Sequence, residues 1–300
     1  MSGAKRAIAA GVLGAVAARA AYAALTRRPP GGAGRSGAEL WGRTNHRGEP
    51  VTLLEGPAFV AGATAAGLLA PTGRMRAAAL LAGAGAGTLG AYDDLAGSAS
   101  SRGFKGHLSA LTRGEVTSGA VKILGIGATG LAAAAIAGSP APTRAGRAFD
   151  TLVDGAIVAS AANLMNLFDL RPGRAIKVGV ITGVPLAATS SAAVVAAPLG
   201  AALALLPEDL GERAMLGDAG ANALGALLGL AATRLGRPAR LTVLAGLVGL
   251  NAASEFVSFT KVIQRTPALN WVDMLGRRPV HTPPAQNAPA GPARVADAAS

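Results

Sequence analysis

The stretch 178–207 carries no charged side chain, and shorter apolar runs of the same kind recur along the whole chain. In water such runs would have to bury one another, whereas in a bilayer each needs only roughly 20 mostly apolar residues to cross about 30 Å of hydrocarbon. Hydrophobic residues make up 51% of the 300 and charged residues 15%, which decides for the bilayer. Helices satisfy their backbone hydrogen bonds internally, so the expected fold is all-α, a polytopic transmembrane helical bundle. The 42 glycines suit close helix contacts better than an aromatic core.

Nine segments read as spans, within a range of eight to ten, at about 7–25, 51–71, 75–92, 117–138, 149–168, 177–189, 192–206, 215–234 and 241–260. The first has the basic start and Ala-rich run of a signal peptide, yet is read as an uncleaved span because every later span would follow it anyway. The uncharged stretch is expected to hold two short helices turning near 189–191, with Pro185 and Pro198 as kinks. With nine spans, the loops at about 26–50, 93–116, 169–176 and 207–214 share one side with the tail from Lys261. That side carries about twice the Lys and Arg of the other, which makes it cytoplasmic and puts the N-terminus outside. Residues 1–280 form one integral-membrane domain, and the Pro/Ala-rich tail at 281–300 is expected to be disordered.

The formal charge of +12 does not mark a nucleic-acid binder, because the basic residues are dispersed between apolar runs and aromatics for base stacking are scarce at 3%. With no cysteine, disulfides and thiolate metal sites are excluded.

The polar residues collect at the ends of spans. Asp93 and Asp94 close the third, in AYDDLAG, and are followed by Lys105 and His107 in KGHLSAL. Asn163, Asn166 and Asp169 close the fifth, in NLMNLFD, where a spacing of three puts them on one helical face. Asp218 opens the eighth, in MLGDAGAN, near a helix N-terminus. On the nine-span reading these groups share one membrane face, where carboxylates around a hard divalent cation, with Lys and His nearby, suit a phosphate or diphosphate. Lys122 and Lys177, at span ends, read as snorkelling interface anchors.

In this order the motifs AYDDLAG, KGHLSAL, NLMNLFD and MLGDAGAN resemble those of the polyprenyl-phosphate N-acetylhexosamine-1-phosphate transferases, glycosyltransferase family 4, which include the phospho-N-acetylmuramoyl-pentapeptide transferases. The resemblance runs from about residue 39 to 280 and takes in NHRGEPVTLLEGPA and SEFVSFTKVIQ. It implies Mg²⁺-dependent transfer of a sugar 1-phosphate from a UDP-sugar to undecaprenyl phosphate, with UMP released, at the cytoplasmic face of a bacterial plasma membrane, in cell-envelope glycan synthesis. It also implies the site. Asp218 would ligate Mg²⁺, and Asp93 or Asp94 would orient or deprotonate the acceptor phosphate. Asn163, Asn166 and Asp169 would bind the nucleotide-sugar or the metal's outer shell, and Lys105 and His107 would contact phosphate or shape the loop. Membrane lipid is an expected partner, nucleic acid is not, and a homodimer is compatible.

Two departures qualify the resemblance. The family continues its Asn/Asp motif as D-G-x-D-G-L-A, whereas this chain reads DLRPGRA, with Pro172 where the second carboxylate would stand. Arg171 and Arg174 offer planar guanidinium forks that suit a phosphate in its place. The His-rich C-terminal loop is also missing, and WVDMLGRRPVHTPP has only His281. An inactive relative that binds polyprenyl phosphate or nucleotide-sugar as a sensor or scaffold therefore stays open. A transporter would place its acids mid-bilayer in repeated, broken helices, and neither feature is found in the sequence.

Overall fold

The computed structural model describes residues 2–32, 34–96, 113 and 117–279. Lys105, His107, His281 and the tail at 281–300 lie outside the described residues. The chain is all-α apart from one hairpin, with twelve helices among the described residues. They are α1 (Gly3–Arg27), α2 (Gly37–Trp41), α3 (Glu55–Gly67), α4 (Gly73–Ala96), α5 (Ser118–Ala137), α6 (Arg144–Phe168), α7 (Arg174–Ala187), α8 (Ala192–Leu210), α9 (Gly217–Ala232), α10 (Arg237–Ser254), α11 (Phe259–Arg265) and α12 (Pro267–Met274). Strands β1 (Gly42–Thr44) and β2 (Pro50–Thr52) pair antiparallel, with Arg43 opposite Val51.

Local chemistry sets several boundaries. Thr117 and Thr143 cap α5 and α6 by accepting the N–H groups of Ala120 and Gly146, and Ser36 with Glu39 forms a capping box on α2. Between α6 and α7 the chain turns at Pro172 and at Gly173, whose left-handed φ of +67° costs little only for glycine.

The helix α9 is the axis of the bundle. All of its residues except Asp218 are buried, and it packs most extensively on α4 and α6, with α3, α7 and α8 around it. Small residues make this possible: at Gly225 a Cβ would overlap the carbonyl of Ala161 in α6. Outside this centre, α1 packs on α8 and α3, α5 lies between α4 and α6, and α10 leans on α6. The α6–α10 contact is fastened by ion pairs from Arg240 to Asp154 at 2.6 Å and from Arg237 to Asp150 at 2.9 Å.

Each of the nine apolar segments contains a helix, but the expectation of nine spans is not met. Among the described residues four helices, α1, α5, α6 and α8, are long and apolar enough to cross a membrane, and a fifth span results if α10 and α11, bent by 96°, count as one. The reason is length and charge. The helices α3, α7 and α9 have 13, 14 and 16 residues, fewer than the roughly 20 a crossing requires. The longer α4 carries Arg74, Arg76, Asp93 and Asp94. The uncharged stretch 178–207 does divide into α7 and α8 around a turn at 188–191, with Pro185 and Pro198 inside the two helices. Several long apolar helices of this kind suggest a multi-pass membrane protein.

Candidate active site

Neighbouring residues on a helix diverge by about 100°, so Asp93 and Asp94, adjacent at the end of α4, serve different partners. Asp93 faces α5. There the Lys122 ammonium lies 2.6 Å from Asp93 Oδ2 and 2.5 Å from Asp218 Oδ2, joining the end of α4 to the start of α9. Asp94 instead accepts the backbone N–H of Asp218 at 3.1 Å and of Ala219 at 3.0 Å. A side chain of α4 thus caps α9, where unpaired N–H groups and the helix dipole favour an anion. The approach depends on Gly217 at φ +59°, since a Cβ there would stand 2.9 Å from Asp94 Oδ2.

The two carboxyls titrate differently. Burial works against the charge of Asp93, but hydrogen bonds with Lys122, Asp218 and Ser118 and the Lys122 charge outweigh it and hold the carboxyl below the ordinary aspartate range. Burial, followed by the charge of Asp218, pushes the Asp94 carboxyl up to about 7, against the two backbone donors and Arg43. Asp94 is therefore placed to exchange a proton near neutrality.

Asp169, at the C-cap of α6, is 8% exposed, and its Oδ2 is buried without a hydrogen-bond partner. Burial, then the charges of Asp209, Asp218 and Asp94, push this carboxyl well above the usual range. A cleft of about 390 Å³ collects Asp94, Asp169, Asp218, Asn166 and Arg43. A second, of about 370 Å³, is lined by Lys122, Asn163, Asn166, Asn251 and Glu255. Asn166 and Leu167 border both, so an acidic cleft adjoins an amide-lined one.

The structure brings together Asp93, Asp94, Asn166, Asp169 and Asp218 from α4, the end of α6 and α9. It gives Asn163 a second employment: its amide donates to Asn251 Oδ1 at 2.6 Å, linking α6 to α10. Arg174 lies elsewhere. Its fork is taken by Asp273 at 2.6 and 3.1 Å, with Thr260 at 3.0 Å. Arg171 donates to the carbonyl of Leu170 and borders a cavity of about 180 Å³ with His46 and Asp209, which adjoins the acidic cleft through Asp169 and Leu170.

Lys122 is the correction that matters most. As an interface anchor it would reach for water, but its side chain is 12% exposed and paired with two acids. The available signal was a lone cation one turn into an otherwise apolar helix, at the same predicted membrane face as Asp93. Lys177 is no free anchor either, since it donates to the carbonyl of Asp273 at 2.6 Å.

Among the described residues no three acidic or histidine side chains converge to hold a metal ion, and the Asp218 carboxylate serves Lys122. The Mg²⁺ implied by the resemblance thus has no preassembled ligand set in these residues. No protein-family model matches the chain, and a search of curated proteins finds no match either.

Proposed function

We propose that the chain transfers a sugar 1-phosphate from a UDP-N-acetylhexosamine, or a UDP-muramoyl-peptide-like donor, to undecaprenyl phosphate at the cytoplasmic face of a bacterial plasma membrane. The observation that carries this reading is the convergence of Asp94, Lys122, Asn166, Asp169 and Asp218, from separate helices, on two adjoining clefts, with Asp93 paired to Lys122 beside them. In the reaction, an oxygen of the lipid phosphate attacks the sugar-linked phosphorus. The new P–O bond forms as the bond from that phosphorus to the bridging oxygen breaks, and UMP leaves with the bonding electrons.

Both reactants are anions, so the site must neutralise and position them. Lys122 supplies positive charge at the acids, and Asp94, with its carboxyl near 7, takes a proton from the acceptor phosphate. Asn166, between the clefts, hydrogen-bonds the donor. A second reading, an inactive relative that binds nucleotide-sugar or polyprenyl phosphate as a sensor or scaffold, is favoured by the engagement of Arg174 with Asp273, which takes up one of the two arginines offered in place of the missing carboxylate.

The test is UMP release and lipid-linked product from purified protein given undecaprenyl phosphate and a panel of UDP-N-acetylhexosamines, with and without Mg²⁺. Turnover that falls by orders of magnitude in Asp218→Asn, with folding retained, supports the transferase. Nucleotide binding without turnover on any donor supports the inactive relative, and neither binding nor turnover refutes both.

A further inference from the structure

In sequence Arg43 is one more basic residue of a loop. The structure sets it in β1 and brings its side chain to the acidic cleft, among Asp94, Asn166, Asp169 and Asp218. Its Nη1 donates to the carbonyls of Leu40 at 3.2 Å and Gly42 at 2.7 Å, and its Nη2 donates to the carbonyl of Asp94. All three acceptors are neutral backbone oxygens. They hold the guanidinium in place without cancelling its charge. Three of the five N–H donors are used, so Nε–H and one Nη2 hydrogen have no partner among the described residues.

Arg74, Arg76, Arg147 and Arg171 likewise donate to backbone carbonyls, but none of them borders the cleft of Asp94, Asp169 and Asp218. Arg47, Arg174, Arg213, Arg237, Arg240, Arg277 and Arg278 each sit within ion-pair distance of a carboxylate. Arg43, with three acids around the same cleft, pairs with none among the described residues. A fixed guanidinium whose remaining donors are unspent matches the oxygens of a diphosphate, which a planar fork contacts two at a time.

We infer that Arg43 is a substrate-binding residue that contacts the diphosphate of the nucleotide donor. This inference rests on the transferase reading and names the group that meets the donor's charge. The alternative role, balancing the neighbouring acids at a distance, requires no ligand contact.

The experiment measures equilibrium binding of UDP, uridine and inorganic pyrophosphate to the purified full chain in detergent, for wild type and for Arg43→Ala, Arg43→Gln and Arg43→Lys. One lost charge-assisted contact corresponds to a decrease of about 10-fold to 100-fold in affinity. The expected result is a loss of that size for UDP and pyrophosphate in the Ala and Gln variants, no change for uridine, and partial recovery with Lys. A weaker salt dependence of UDP binding in Arg43→Gln accompanies it. UDP affinity equal to wild type in Arg43→Gln, with an unchanged melting temperature, overturns the inference while leaving the transferase reading intact. Pyrophosphate binding that depends on Arg43, in a protein that neither binds UDP nor releases UMP, supports the anion contact and removes the nucleotide donor. If Arg43→Ala does not fold, Gln and Lys still decide.

Discussion

Replacing Lys122 by Met keeps the length and apolar stem of the side chain and deletes the charge between Asp93 and Asp218. Two charge-assisted bonds, at roughly 1.5 to 3 kcal/mol each, bound the loss at about 6 kcal/mol. Removing one partner of a fully buried pair costs about 3 to 5 kcal/mol. The side chains here are 12%, 16% and 24% exposed, so water screens part of the interaction and places the expectation at the lower end of that range. The expected loss is about 3 kcal/mol at pH 8, read from equilibrium unfolding in detergent.

The sign of the pH dependence separates this account from a simple packing defect. In the wild type, Asp93 titrates below its unfolded value, so its contribution is present at neutral pH and is lost as pH falls through the depressed folded value. In Lys122→Met, burial and the neighbouring carboxylate raise that value instead. The destabilisation is then greatest at pH 8 and shrinks toward pH 5, as one of the two acids takes a proton. Lys122→Arg restores part of the stability. A loss below about 0.5 kcal/mol, the size of an ordinary surface substitution, or an equal loss at both pH values, refutes the reasoning.

Two further outcomes follow from the same geometry. Asp94 titrates above its unfolded value, so its contribution is fully present below about pH 4 and is lost as pH rises through about 7; Asp94→Asn flattens wild-type stability across that window, as measured by denaturant unfolding at intervals of pH. Arg174→Ala removes the closer of two guanidinium partners from Asp273, which keeps Arg277 at 3.0 Å, and costs about 1.5 to 3 kcal/mol for each charge-assisted bond lost, read from equilibrium unfolding; UDP affinity is unchanged in that variant.

Beyond α2, α11, α12 and the hairpin, which they did not announce, the residues alone were enough to establish a mainly helical chain, the places of nine of the twelve described helices and the ends at which its acids collect. These follow from apolar runs, caps and breakers acting over a few residues, as at Thr117, Thr143, Pro172 and Gly173. Asp93, Asp94, Asn166, Asp169 and Asp218 were legible as a polar group at helix ends because they interrupt apolar runs at a helical spacing or at a helix end. The number of spans was not legible in this way. An apolar run in sequence does not distinguish a helix that crosses lipid from one of 13 to 16 residues, whether largely buried by its neighbours, as α3 and α9 are, or partly exposed, as α7 is at Ile181 and Val184.

Charge pairing also belongs to the tertiary structure. Lys122 lies 96 residues from Asp218, and Arg174 lies 99 from Asp273. No local pattern announces either partnership, because an ion pair depends on which helices touch; for Lys122 and Asp218 that is decided by the close approach of α4 to α9, where a Cβ at Gly90 would overlap the carbonyl of Asp218. For the same reason the sequence offered Arg171 and Arg174 as an anion clamp, while the folded chain engages Arg174 with Asp273 and brings Arg43 to the acids. Helix formation is a local property of the chain. The distribution of its charges is set by packing.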